Sequence, residues 1–173
     1  MEKTQDQIIN KVAASALITF DLEQYYRPGE RVLLDIRDQL FEGLVLREKD
    51  FRNFIKSHNW EGYQNKFVAI HCSVDAIVPT WAYMLLAIAL EPFAARVVYG
   101  TLEELEVEIF RESLDKVDWS GFKDSKVVIK GCSKVDVPIA VYVEATSRLR
   151  PHAASIMFGE PCSTVPLFKK PKV

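Results

Sequence analysis

The feature that most constrains the fold of this chain is an internal repeat. Residues 48–100 resemble residues 107–159 at an offset of 59 residues, which slips to 60 from the first strand of each copy to its cysteine. The clearest matches are Phe51 with Phe110, Trp60 with Trp119, Pro79 with Pro138, Tyr83 with Tyr142 and Gly100 with Gly159. Because each copy is too small to bury a core of its own, the pattern predicts a tandem duplication inside one folded domain.

Each copy has the same predicted order of helix, turn, strand, helix and strand. The second copy opens with a capping box, in which Thr101 begins a helix and Glu104 follows three residues later. The predicted helices are 48–57, 79–90, 102–116 and 138–149, and the predicted strands are 67–72, 96–99, 127–131 and 155–158. Strands are also predicted before the repeats, at 18–22, 31–36 and 39–46. A strand, a helix and a strand in succession form a βαβ unit, whose strands are parallel.

The predicted fold class is therefore α/β, with a mixed, largely parallel sheet flanked by helices and built on duplicated βαβ-type units. We expect residues 1–173 to form a single domain. Its parts are N-terminal strands in 1–47, repeat one in 48–100, repeat two in 107–159 and a C-terminal tail in 160–173.

Composition and charge exclude several classes of function. The chain has 22 basic and 24 acidic residues, so its net charge of −2 predicts no nucleic-acid partner and no anionic membrane. The longest apolar stretch, 81–90, is about half of what a bilayer requires, and no targeting signal precedes residue 17. These features predict a cytoplasmic protein. Because no catalytic sequence motif is present, enzyme activity stays undecided.

The three cysteines follow a common pattern. Cys72 and Cys132 fall at the carboxyl ends of the first predicted strands of the two copies, and Cys162 follows the last strand of copy two. Each is followed by Ser and comes shortly before a Val-Pro pair. Because the carboxyl ends of parallel strands are where ligands collect, we expect the three thiols to converge.

Three interpretations of these cysteines remain open. They are small apolar residues packed under loops, ligands of zinc, iron or an iron–sulfur cluster, or reactive thiols. In the metal interpretation three thiolates leave a fourth position open. Asp75, three residues after Cys72, and Glu160, two residues before Cys162, are candidates for it, as are water and a small substrate.

The chain resembles the domain of unknown function 2480 family, which is found chiefly in Bacteroidetes. Three segments carry the resemblance, namely 72–85, 130–133 and 155–167, with the sequences CSVDAIVPTWAYML, KGCS and SIMFGEPCSTVPL. No established activity accompanies the resemblance. Genes of the family tend to lie near those of the sulfur-mobilisation system for iron–sulfur assembly, which implies a part in cluster assembly and iron–sulfur assembly proteins as partners.

From these observations we expect a cytoplasmic protein that binds zinc, iron or an iron–sulfur cluster through Cys72, Cys132 and Cys162 and is accessory to iron–sulfur metabolism. The alternative is a metal-free interaction or scaffold protein with structural cysteines, and a metal-dependent hydrolase or lyase comes third. Neither the metal nor the oligomeric state follows from the sequence.

Overall fold

A computed structural model of the chain describes residues 17–131, 134–160 and 163–171. These residues form two compact units. Residues 27–113 make up the first, which we call the inserted unit. Residues 17–26 together with the described part of 114–171 make up the second, which we call the split unit. The single-domain organisation stays a prediction.

Seven strands and four helices are present among the described residues. The strands are β1 (Leu17–Asp21), β2 (Arg31–Asp35), β3 (Phe67–His71), β4 (Arg96–Tyr99), β5 (Lys126–Lys130), β6 (Ser155–Glu160) and β7 (Ser163–Lys169). The helices are α1 (Glu48–Ser57), α2 (Thr80–Leu90), α3 (Leu102–Leu114) and α4 (Ile139–Leu149). The mixed, largely parallel α/β class is confirmed, although the strands form two sheets where one was predicted.

The inserted unit contains a parallel sheet in the order β2-β3-β4. One face of its central strand, carrying Val68 and Ile70, packs on α1 and α2 in a cluster centred on Phe51 and Leu86. The opposite face of β3 packs against α3. A strand buried on both faces reads as a continuous apolar run, which explains why β3 shows no alternation in its sequence.

The split unit contains the strands β1-β5-β6-β7, of which the first three are parallel. β7 runs antiparallel to β6 and was not predicted, since 160–173 was expected to be a tail. Pro166 explains the omission, because a proline cannot donate a hydrogen bond and argues against a central strand. β7 lies at the edge of the sheet, where Pro166 pairs with Met157 next to an irregularity in the register.

The predicted strand at 39–46 is wrong. Arg37–Gln39 form a single 3-10 turn, and the chain then reverses so that Phe41 and Val45 make an isolated antiparallel bridge. Glu42 and Gly43 have φ values of 51° and 70°. Two consecutive left-handed residues make a tight turn, which divides the apolar residues on either side.

Helix, 3-10 turn, strand, helix and strand follow one another in the same order in 48–99 and 102–160. Left-handed residues recur at the same places, with Asn65 and Asp124 before β3 and β5, and Gly100 and Gly159 at 59 residues' distance. The common origin of the two segments stays a prediction. No helix in the described part of the chain is both long and apolar enough to cross a membrane.

Candidate functional site

The carboxyl edge of the parallel sheet in the inserted unit is the candidate site. β2 ends there with Asp35, β3 ends with His71 and is followed by Cys72, and β4 ends with Tyr99. The loops that follow parallel strands at this edge are the usual location of ligand sites in α/β folds.

Cys72 is a free cysteine and is half-buried. Its Sγ lies 3.5 Å from the carbonyl oxygen of Val74, which is a weak interaction for a thiol. The strand ends one residue earlier than predicted, so that Cys72 begins the loop to α2. This thiol is therefore accessible from the carboxyl edge of the sheet.

Asp35 organises the same edge. Its Oδ1 accepts hydrogen bonds from the backbone N–H groups of Ser73, at 3.1 Å, and Arg37, at 3.0 Å. Burial alone would raise the pKa of this carboxyl group, but hydrogen bonds from Ser73 and Arg37 and the charge of Arg37 together lower it. Asp35 is therefore a carboxylate at neutral pH and holds the loop after Cys72 against the end of β2.

Next to Cys72 the inserted unit contains a pocket with a volume of about 630 Å³. The rings of Tyr83 and Tyr99 meet there edge to face, with centroids 4.9 Å apart. Burial raises the pKa of Tyr83, and the charges of Cys72, Tyr99 and Asp35 raise it further. Residues from β3, β4, α2 and the loop before α2 line the pocket: Ile70, Ala76, Val78, Thr80, Tyr83, Met84, Ala87, Val97 and Tyr99.

A corresponding pocket of about 490 Å³ lies in the split unit. Its lining is almost entirely apolar and includes Tyr142, whose ring meets Phe158 edge to face at 5.8 Å. At the end of β1, Asp21 takes the place that Asp35 has at the end of β2, but here a lysine, Lys130, pairs with the carboxylate at 3.4 Å. The two pockets therefore share a position and differ in polarity.

Only part of the predicted metal site falls on described residues. Cys132 and Cys162 lie outside them. Asp75 is exposed in the loop before α2, and Glu160 is exposed at the end of β6. Within 17–131, 134–160 and 163–171, no three His, Cys, Asp or Glu side chains are grouped so as to hold a metal ion. The described residues thus supply one accessible thiol, and a metal site requires the other two cysteines.

The strand pairing revises the predicted equivalence of Cys72 and Cys132. Phe67 pairs with Arg96 and Lys126 pairs with Ser155, so that the offset is 59 residues through both strands and does not slip to 60. The residue that follows β5, as Cys72 follows β3, is Gly131. Cys132 comes one residue later in the sequence.

Sequence reasoning missed Asp35 and the pocket, and treated Tyr83 and Tyr142 as paired core residues. Both tyrosines are half-buried and line pockets. The available signal was an aspartate at the end of each N-terminal strand, in the sequences Phe-Asp-Leu at 20–22 and Leu-Asp-Ile at 34–36. Each carboxylate accepts the N–H two residues later, which is typical of an Asx turn.

Comparisons with known proteins give one result. No curated protein and no solved structure matches the chain. The model of one protein family matches residues 6–170, which is nearly the whole sequence. The chain therefore belongs to the family described as Protein of unknown function (DUF2480).

Proposed function

We propose that the protein binds zinc, iron or an iron–sulfur cluster through Cys72, Cys132 and Cys162. The observation that carries the proposal is the position of Cys72, a half-buried free thiol at the carboxyl edge of a parallel sheet. A structural cysteine is usually enclosed by apolar neighbours, whereas this one opens a loop beside a carboxylate. The interpretation of Cys72 as a ligand is therefore favoured over the packing interpretation.

The donor set determines the class of metal. Thiolates are soft ligands that select zinc, iron–sulfur clusters and copper over magnesium or calcium. The exposed carboxylates of Asp75 and Glu160 are candidates for a fourth ligand, and a water molecule or a small substrate is equally suited to that position. An accessory role in iron–sulfur metabolism in the cytoplasm, with assembly proteins as partners, rests on the family resemblance.

Anaerobic purification followed by metal analysis and absorption spectroscopy tests the proposal. We expect a stoichiometric metal ion or cluster per chain, and Cys72→Ala, Cys132→Ala and Cys162→Ala should each lower metal affinity by at least about tenfold. Val74→Ala is the matched control, since it changes an exposed side chain of the same loop and removes no donor.

A folded chain that contains neither metal nor visible absorbance after anaerobic purification would disprove the proposal. A Cys72→Ala variant that retains the metal would remove Cys72 from the ligand set, and with it the observation on which the proposal depends.

A metal-free interaction protein is the second candidate, and exposed apolar pairs on two helices favour it. Met84 and Ile88 on α2 are 60% and 69% exposed, and Ile139 and Val143 on α4 are 78% and 61% exposed. Residues four apart lie on the same face of a helix, so each pair forms a small apolar patch of a kind found at protein interfaces. In this case the triple Cys→Ala variant should have the wild-type melting temperature, and neither protein should contain metal.

A further inference from the structure

The pocket of the inserted unit has a lining that suits a particular kind of small molecule. Its volume of about 630 Å³ lies in the range of ligand sites, roughly 300–1,000 Å³. Aliphatic side chains form the walls, and two tyrosines and a threonine contribute hydroxyl groups. We propose that this pocket binds a neutral, planar aromatic molecule that carries a hydrogen-bond acceptor.

The aromatic part of the ligand follows from the rings that line the pocket. Tyr83 and Tyr99 meet edge to face at 4.9 Å, so that their ring faces point in different directions. A third ring packs favourably against such a pair in stacked or edge-to-face geometry. Met84, which is 60% exposed, adds a polarizable thioether that suits contact with an aromatic ring.

The requirement for an acceptor follows from the hydroxyl groups. Among the described residues, neither Tyr83 nor Tyr99 has a hydrogen-bond partner for its phenol. A phenol can donate one hydrogen bond, and an enclosed ligand that leaves such a donor unpaired loses affinity. Because the pKa of Tyr83 is raised, this hydroxyl stays protonated and remains a donor at neutral pH.

The requirement for a neutral ligand follows from the charges nearby. None of the nine residues that line the pocket is basic, so nothing in the lining would pair with an anion. The closest described charge with an effect on the pocket is the carboxylate of Asp35, which raises the pKa of Tyr83. An anionic ligand would therefore be repelled and have no partner for its charge.

The pocket of the split unit provides an internal comparison. Phe158 replaces Tyr99 there, and Thr146 replaces Ala87. A single phenol remains in its lining, that of Tyr142, which already has an interaction partner. The pocket of the split unit therefore lacks the free donors that the proposal requires.

Titration of the purified full-length chain with the dye PRODAN tests the proposal. PRODAN is a neutral naphthalene with one ketone acceptor, and its emission shifts to the blue when it leaves water. We expect saturable binding at one site. Ala87→Phe, which fills the pocket of the inserted unit, should weaken binding by at least about tenfold, whereas Thr146→Phe, which fills the other pocket, should change it by less than about twofold.

A second substitution tests the hydrogen bond without changing the size of the pocket. Tyr99→Phe removes one hydroxyl from an exposed side chain, so the fold should be retained, and affinity should fall by roughly two- to tenfold. The reciprocal variant Phe158→Tyr should leave the affinity unchanged.

Three results would overturn the proposal. They are the absence of saturable binding by the wild-type chain, loss of binding in Thr146→Phe but not in Ala87→Phe, and wild-type affinity in Tyr99→Phe. Because no cysteine lines the pocket, these results are independent of the metal content of the protein.

Discussion

Cys72 and Gly131 follow β3 and β5 at the same place, and a tyrosine of the next helix explains why their sizes differ. A Cβ atom added to Gly131 would lie 2.6 Å from the hydroxyl oxygen of Tyr142. Tyr83 has the corresponding position on α2, and its pKa responds to the charge of Cys72. In the inserted unit the space beside the tyrosine is thus occupied by a thiol, and in the split unit by the phenol itself.

We expect Gly131→Ala to destabilise the protein by roughly 1–3 kcal/mol, because the added methyl group overlaps the Tyr142 hydroxyl. Urea unfolding followed by circular dichroism measures this change. Gly121→Ala is the matched control, since a Cβ atom there meets nothing within 4 Å. The double variant Gly131→Ala/Tyr142→Phe should regain most of the lost stability, and if it does not, the overlap with the hydroxyl is not the cause.

His58 is expected to make stability depend on pH near neutrality. It lies against the rings of Phe54, Trp60 and Tyr63, and its Nε2 is 3.2 Å from the Tyr63 hydroxyl. Burial lowers the pKa of this imidazole below its ordinary value. The unfolded chain therefore binds a proton at a higher pH than the folded chain does.

It follows that the free energy of unfolding should decrease as the pH falls from about 7.5 to about 5.5, by the uptake of at most one proton. His58→Gln should show a smaller decrease over the same interval. The measurement is urea unfolding at several pH values. Equal slopes in the wild type and the variant would show that His58 is not responsible.

At the scale of elements, α3 illustrates how a local signal fixes a helix boundary. The Thr101 hydroxyl accepts a hydrogen bond from the N–H of Glu104 at 3.2 Å, and the Glu104 carboxylate accepts one from the N–H of Thr101 at 2.7 Å. The predicted capping box is confirmed. Gly100, with a φ of 140°, provides the turn between β4 and the helix.

Thr101→Ala should destabilise the protein by about 1 kcal/mol, because two N–H groups of the first turn lose their arrangement of partners. Ser113→Ala on the same helix is the control, since its hydroxyl bonds only to the carbonyl of Ile109 within the helix and caps nothing. Thermal unfolding of the two variants separates a specific loss of the cap from a general effect of removing a hydroxyl. Equal melting temperatures for both would contradict the role of Thr101.

Elements with local signals were predictable from the sequence, and elements that depend on distant pairing were not. α1 has the predicted bounds, and α2 and α4 begin directly after the expected prolines, Pro79 and Pro138. The pairing of β1 with β5, over 100 residues away, and the separation into two sheets have no signature within a short segment. β7 was missed because its partner, and not its own sequence, makes it a strand.

The candidate site was predictable to the same extent. The repeat and the parallel-strand rule placed Cys72 at the carboxyl edge of a strand, and that placement is confirmed. The pocket was not predictable, since Tyr83 and Tyr99 lie 16 residues apart and meet only when α2 packs beside β4. Whether Cys72 joins Cys132 and Cys162 in a metal site stays a prediction.

At the scale of the whole molecule, the order of the two units along the chain links their stabilities. The inserted unit, 27–113, lies between β1 and the remainder of the split unit. When the inserted unit unfolds, the pairing of β1 with β5 has to close a long flexible loop. Closing a loop of this length costs about 4 kcal/mol of chain entropy, so the split unit should lose much of its stability at the same time.

Leu86→Ala tests this coupling. Leu86 is fully buried in the inserted unit, and its truncation should cost roughly 2–5 kcal/mol. We expect hydrogen exchange to become faster at the amides of β5 in the split unit as well as at those of β3. Ile88→Ala, on an exposed position of the same helix, should change both by less than about 0.5 kcal/mol. If β5 keeps its wild-type protection in Leu86→Ala, the two units unfold independently and the prediction of a single cooperative domain is wrong.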